Sequence, residues 1–137
     1  MSRIKFIVSE KYVERMEILK EIENFGKQNN YNISKKNDIF NEEEIIMWRE
    51  DVFQLEFLIK NKANFKDDIS NSSIIKNKRY YNLIIIDYYG DSLPYFNQFV
   101  KYFLALHPDM LVADEAYKDF YSYEEIKNKQ VPEWLLI

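Results

Sequence analysis

The chain of 137 residues has the length of one domain, and its 47% hydrophobic content is enough for a folded core, which excludes global disorder. A net charge of −4, with basic residues scattered among acidic ones, disfavours nucleic acid as a partner and is compatible with a basic protein. Cysteine is absent, which excludes disulfides and thiolate sites. The N-terminal apolar run is too short for a signal peptide or a membrane span, so we expect no membrane association and a cytoplasmic location.

The first part of the chain predicts a strand, a long helix and short extended pieces. Residues 3–8 read as a strand, and a helix with one apolar face follows over residues 10–29, with Ser9 as its N-cap. Residues 31–40 favour short extended segments, with a turn at residues 35–38.

Residues 42–60 carry two competing patterns. Residues 41–44, an asparagine followed by three acidic residues, are typical of a helix start. Residues 53–59 instead alternate apolar and other side chains, as a strand does. Because polar residues interrupt the apolar face on a helical projection, we favour two strands, at residues 45–48 and 52–60.

The second half predicts a loop and then the clearest strand–helix–strand unit of the chain. Residues 61–78 are rich in Asn, Ser, Asp and Lys and indicate a long surface loop. Residues 80–89 form the predicted central strand, with a continuous apolar run that is typical of a strand covered on both faces. A helix capped by Asp91 or Ser92 follows, and residues 110–113 form a further short strand.

The C-terminal part predicts a short strand at residues 120–121 and a capping box at Ser122 and Glu125 that opens a short helix. Residues 134–137 are apolar and should dock on the core. Together these elements predict an α+β fold in a single domain, residues 1–137. We expect one mixed or antiparallel sheet with two main helices on one face, in a ferredoxin-like split β-α-β arrangement with additions.

Acidic residues lie near the boundaries of the strand–helix–strand unit: Asp87, Asp91, Asp109, Asp114 and Glu115. Clustered carboxylates can bind Mg²⁺ or act as acid and base, so a metal-using enzyme with a site at Asp87, Asp91 and Asp114 is one alternative. Helix caps and solvated turns explain the same residues, and Asp109 should lie at the opposite end of the sheet. We therefore predict no catalytic residue, no metal and no cofactor.

Two further residue types limit the possible chemistry. His107 is the sole histidine and falls in the last turn of the predicted helix, where a cation interacts favourably with the helix dipole, so we favour a C-capping role over catalysis. The chain has two glycines, Gly26 and Gly90, so the glycine-rich phosphate-binding motifs are excluded.

Tyrosines surround the predicted central strand: Tyr80, Tyr81, Tyr88, Tyr89 and Tyr95. Since neighbours on a strand point to opposite faces, one residue of each adjacent pair should face away from the helices. If nothing covers that face, it is an aromatic surface rimmed by acids, which is typical of an interface. The alternative is a second, covered core.

The segment from residue 83 to residue 126 reads LIIIDYYGD, then a helix, then HPDMLVADE and FYSYEEI. In this pattern, and as a small, acidic, cysteine-free α+β chain, the protein resembles bacterial immunity proteins of polymorphic and contact-dependent toxin systems. The resemblance implies a cognate toxin that is bound tightly in the producing cell, usually through acidic groups that face a basic active site. The resemblance assigns no role to any particular residue.

We therefore expect a small cytosolic protein-binding module that occludes the active site of a toxin, with acids that steer association and tyrosines that anchor it. A homo-oligomeric structural or regulatory module, whose aromatic sheet face pairs with itself, is a further alternative. The residues predicted to contact the partner are Asp87, Tyr88, Tyr89, Asp91, Asp109, Asp114 and Glu115.

Overall fold

The computed structural model describes residues 2–37, 43–67 and 72–136, and within these ranges the chain forms eight strands and four α-helices. The strands are β1 (Ser2–Ser9), β2 (Asn32–Asn37), β3 (Glu43–Arg49), β4 (Phe53–Ile59), β5 (Ser73–Ile75), β6 (Lys78–Tyr89), β7 (Leu111–Ala113) and β8 (Phe120–Ser122). The helices are α1 (Arg15–Gln28), α2 (Lys62–Phe65), α3 (Leu93–Leu106) and α4 (Tyr123–Lys127).

The strands form one sheet in the order β2-β3-β4-β6-β1-β7-β8, with β5 paired to the start of β6, and all of these pairings are antiparallel. β6 lies between β1 and β4, and β1 lies between β6 and β7. The β1–α1–β4 and β6–α3–β7 units therefore interlock, each enclosing a strand of the other, which is the split β-α-β arrangement. The predicted α+β class is confirmed, and the β2–β3 hairpin and the β8–α4 segment are the additions.

Helices α1 and α3 pack together on one face of the sheet. The ring of Phe25 in α1 lies 5.4 Å from that of Phe99 in α3, and Phe99 lies 4.8 Å from Phe57 in β4. Every second residue of β4, from Phe53 to Ile59, is buried on this side. A period of two fits one-sided burial in a sheet, which explains why this stretch is a strand and not a helix.

The predicted helix start at residue 10 was wrong, because Ser9 belongs to a strand. Ser9 pairs with Tyr81 at the end of β1, and its hydroxyl donates a hydrogen bond to the carbonyl of Lys11 at 2.7 Å. Helix α1 begins at Arg15. The turn predicted at residues 35–38 was also wrong over its described part, because residues 35–37 pair with β3.

The predicted loop at residues 61–78 contains regular structure. Asn61 caps α2, since its side chain accepts a hydrogen bond from the backbone N–H of Asn64 at 2.8 Å. Lys76 and Asn77 both have positive φ, 50° and 67°, and join β5 to β6 as a two-residue hairpin turn. This is the backbone geometry of a type I′ turn, whose twist matches that of the strands it connects.

The C-terminal predictions were confirmed within the described ranges. Ser122 and Glu125 form the capping box of α4, and Leu135 is buried in the core. Residues 38–42, residues 68–71 and Ile137, on which parts of the predictions fall, lie outside the described residues. No helix in the described ranges is both long enough and apolar enough to cross a membrane.

Candidate functional site

The face of the sheet opposite α1 and α3 is the candidate site, and we call it the open face. It includes these side chains of the four strands β3, β4, β6 and β1 that point away from the two helices: Ile4, Glu44, Ile46, Trp48, Gln54, Glu56, Leu58, Ile85, Asp87 and Tyr89. Phe6 lies on the same side, opposite Ile85, and its ring packs against that of Tyr117 with ring centres 5.3 Å apart. Each of them is exposed or half-buried, whereas their neighbours on β4 and β6 that point to the helices are buried. The strand alternation thus produces two faces with different surroundings.

The register of the strands aligns four of these residues in one row across the sheet. Ile46 pairs with Glu56, Glu56 pairs with Asp87, and Asp87 pairs with Ile4. With strands about 4.8 Å apart, the row is about 14 Å long. Two carboxylates therefore stand side by side at its centre, with an aliphatic side chain at each end.

The two central carboxylates have no counter-ion among the residues that the structure describes. Like charges directly opposite each other on neighbouring strands destabilise a sheet. Glu56 accepts a hydrogen bond from the side-chain amide of Gln54 at 2.9 Å, but Asp87 Oδ1 is buried and has no hydrogen-bond partner among the described residues. Neither carboxylate forms a salt bridge within the described ranges. Asp87 Oδ1 is thus an unsatisfied acceptor among the described residues.

The two cations that flank Ile4 in β1 point to the other face. Lys5 is 6% exposed, and its ammonium group lies 4.4 Å from the ring centre of Trp134. Burial lowers the pKa of Lys5, against the opposing effect of the nearby Glu115 and Asp114 carboxylates. Arg3 forms a salt bridge with Glu115 at 3.6 Å. Both cations are therefore engaged away from the open face.

Apolar and aromatic side chains surround the carboxylate pair. Tyr89 is 57% exposed and Ile4 is 39% exposed. Trp48 and Tyr89 line a groove of about 590 Å³ at the end of the sheet. Leu58 lies on the other side of the pair and lines a depression of about 270 Å³ together with both carboxylates. Charged groups within an aromatic and aliphatic surface are typical of a protein interface.

Three of the seven residues predicted to contact a partner lie on or beside the open face. Asp87 and Tyr89 belong to it, and Asp91 is exposed in the short turn after β6, where it lines the groove. Tyr88 faces the helices: it is 4% exposed and stacks on Phe96 with ring centres 4.9 Å apart. Burial raises the pKa of the Tyr88 hydroxyl to about 12. Tyr88 is thus a core residue, and its predicted contact with a partner does not fit this structure.

The remaining three residues lie elsewhere. Asp114 and Glu115 follow β7 at the same end of the sheet as Asp87, where Glu115 pairs with Arg3 and Asp114 accepts a hydrogen bond from the backbone N–H of Ala116 at 3.2 Å. Asp109 is exposed at the start of β7, at the opposite end, as the sequence predicted. Among the described residues, no three acidic or histidine side chains are placed to hold a metal ion.

His107 joins two helices. Its Nε2 lies 2.7 Å from Glu21 Oε2 of α1, and both side chains are mostly buried. Its backbone N–H bonds to the carbonyl of Phe103, so it is the C-cap residue of α3. The predicted C-capping position is confirmed, and the side-chain contact with Glu21 is an additional structural contact.

The sequence reasoning missed the residues that surround Asp87 on the open face. Glu56 is one of the polar residues that interrupt the helical projection of residues 42–60, and Trp48 ends the strand predicted at residues 45–48. The available signal was the alternation of β4, since the residues between the buried positions must share the other face. The pairing of Glu56 with Asp87 had no local signal, because the two are far apart in the sequence.

Comparisons of the chain with models of known protein families, with curated proteins and with solved structures gave no match.

Proposed function

We propose that the open face binds a protein partner, and that the protein is an immunity protein that neutralises a toxin domain by occluding its active site. The observation that carries the proposal is the Glu56–Asp87 pair, set among exposed aromatic and aliphatic side chains on the face that α1 and α3 leave uncovered. The resemblance of residues 83–126 to immunity proteins supports the same function.

The chemistry of the open face suits a basic active site. A toxin domain that acts on an anionic substrate needs cationic groups at its active site, and a partner that presents carboxylates can occupy those groups. The acidic charge speeds association, and this contribution weakens as salt screens it. The aromatic and aliphatic side chains then hold the complex by excluding water from the contact. The net charge of −4 acts in the same direction.

Growth of a bacterial host provides the test. The C-terminal domain of the protein encoded immediately upstream of this gene is expressed from an inducible promoter, alone and together with this protein. The proposal expects that the domain stops growth and that the wild-type protein restores it. Trp48→Ala and Glu56→Lys should lose the protection, because the first removes an aromatic contact and the second reverses a charge on the open face.

A matched variant separates binding from folding. Asp109→Lys makes a comparable charge reversal on an exposed residue at the opposite end of the sheet and should still protect. Circular dichroism checks that each variant is folded. A non-toxic upstream domain, or equal protection by all three variants, would show that the proposal is wrong.

A further inference from the structure

We propose that a recess between α3, α4 and residues 135–136 binds a small amphiphilic anion, in which an anionic head group carries an apolar tail. The recess has a volume of about 280 Å³. Its lining includes three lysines and three aliphatic residues: Lys101, Lys127, Lys129, Ile126, Leu135 and Leu136. It shares no residue with the open face, so this proposal does not depend on the proposed function.

The floor of the recess belongs to the hydrophobic core. Ile126 and Leu135 are buried and line the recess, whereas Leu136 is 46% exposed at its edge. An apolar tail that enters the recess covers the exposed part of Leu136 and removes apolar surface from water, which favours binding. Ligand pockets have volumes of about 300–1,000 Å³, so this recess, at their lower limit, suits a small ligand.

The edge of the recess carries positive charge without a counter-ion in the described part of the chain. Lys101 belongs to α3, Lys127 ends α4, and Lys129 follows it. Within the described ranges no carboxylate lines the recess, and none of the three ammonium groups forms a salt bridge. Glu124 and Glu133 are exposed nearby in the sequence but do not line the recess. In a chain of net charge −4, this local excess of cations is complementary to an anionic head group.

The backbone conformation at Lys129 favours a glycine, yet the residue is a lysine. Lys129 has a positive φ of 58°. Its N–H bonds to the carbonyl of Ile126 at 3.1 Å, and the N–H of Gln130 bonds to the carbonyl of Glu125 at 2.9 Å, which are the two hydrogen bonds of a Schellman motif. Glycine is the usual residue at this position, because a Cβ makes the left-handed conformation unfavourable. A lysine here disfavours the fold but adds a cation to the recess, which fits a binding role.

The test titrates the full chain, labelled with ¹⁵N, with small probes. Octanoate has both the charge and the tail, octanamide has the tail alone, and acetate has the charge alone. Octanoate should shift the backbone amide signals of residues 101 and 123–136 with a Kd of about 1–5 mM, as expected for a ligand of about ten non-hydrogen atoms. Octanamide and acetate should each bind at least about fivefold more weakly. Octyl phosphate replaces the carboxylate by a phosphate, and the tighter of the two octyl anions identifies the preferred head group.

Lys129→Gly separates binding from folding, because glycine suits the left-handed backbone. This variant should bind octanoate about threefold more weakly, while urea unfolding shows a stability that is unchanged or higher. The matched control is Lys76→Gly, the same substitution at another exposed lysine with a positive φ, 50°, in the β5–β6 turn. It should keep the affinity for octanoate.

Three results would overturn the anion site. The first is equal binding of octanoate and octanamide, which would show that the lysines contribute nothing. The second is a set of shifts that lies outside residues 101 and 123–136. The third is an unchanged affinity for octanoate in Lys129→Gly together with lower stability, which would show that Lys129 serves the fold by offsetting the dipole of α4.

Discussion

Replacing Asp87 with asparagine should make the isolated protein more stable. The substitution removes one of two like charges that stand opposite each other on β4 and β6. Asparagine has nearly the same shape and keeps an oxygen at the Oδ1 position, so packing changes little. The expected gain therefore measures the electrostatic repulsion within the pair.

Coulomb's law gives the size of the repulsion between the Glu56 and Asp87 carboxylates. Two charges about 6 Å apart repel by about 0.7 kcal/mol in bulk water and by about 3 kcal/mol at an effective dielectric constant of about 20. The half-buried position of both side chains and screening by salt place the value near the lower limit. Cross-strand pairs generally contribute about 0.2–1 kcal/mol. We expect a gain of about 0.5–1 kcal/mol in the free energy of unfolding.

Urea unfolding followed by circular dichroism measures this gain at pH 7. The gain should be largest at about 0.01 M salt and should shrink at about 1 M, where the Debye length falls from about 30 Å to about 3 Å. Glu56→Gln should give a similar gain, since its amide oxygen can still accept the hydrogen bond from Gln54. The double variant should gain little more than either single variant, because one substitution already removes the repulsion.

The matched control is Asp109→Asn, which neutralises an exposed aspartate in the turn before β7, outside the strand pairings. It should change the stability by less than about 0.5 kcal/mol. A loss of stability in Asp87→Asn, or fully additive gains in the double variant, would refute the repulsion between Glu56 and Asp87.

Three further predictions concern the core and the helices. Phe99→Ala should lower the free energy of unfolding by about 3–5 kcal/mol, because the ring is fully buried against Phe57 and its removal leaves a cavity; a loss below about 1 kcal/mol in urea unfolding would contradict this packing. Burial raises the pKa of Tyr88 from 10.0 to about 12, so as the pH rises the unfolded chain loses the hydroxyl proton before the folded chain does. The free energy of unfolding should therefore fall by up to about 1.4 kcal/mol per pH unit as the pH rises between these two values. Tyr88→Phe should show a shallower fall in urea unfolding at a series of pH values, and an identical slope in both proteins would contradict this. His107→Ala should lower stability by about 1–2 kcal/mol, because the mostly buried Glu21 carboxylate loses its partner at 2.7 Å. A double-mutant cycle with Glu21→Ala measures this contact, and strictly additive losses would show that it contributes nothing.

The sequence predicted the elements whose signals are local and agree with each other. The alternation at residues 53–59 predicted β4 because one-sided burial in a sheet produces a period of two. The Ser122–Glu125 capping box predicted the start of α4, since both of its hydrogen bonds form within one turn. Both features can be predicted from a few neighbouring residues, without information on the rest of the chain.

Predictions failed where tertiary pairing overrides a local signal. Ser9 has the chemistry of an N-cap, but its pairing with Tyr81 extends β1 and delays the helix to Arg15. The hairpin turn at Lys76 and Asn77 needs positive φ at two residues that are not glycine, and lysine gives no sign of this conformation. Strand pairing fixes both outcomes.

The candidate site was predictable only in part, because pairing between distant strands places some of its residues. The alternation along β6 indicates that Tyr88 and Tyr89 face opposite ways, and the structure assigns Tyr88 to the core and Tyr89 to the open face. The opposition of Glu56 and Asp87 depends on the register between β4 and β6. A shift of the register by one residue would separate the two carboxylates onto opposite faces.

The order of residues in β1 explains why this neighbouring strand supplies no counter-ion to the carboxylate pair. The strand reads Arg3-Ile4-Lys5, and Ile4 is the residue directly opposite Asp87. If a cation stood at position 4, it would face Asp87 and neutralise the pair from within the sheet. The alternation of the strand instead sends Arg3 to Glu115 and Lys5 to the ring of Trp134, on the helix side. Any counter-ion that reaches the pair from outside the sheet must approach across the open face, which is where we propose that the partner binds.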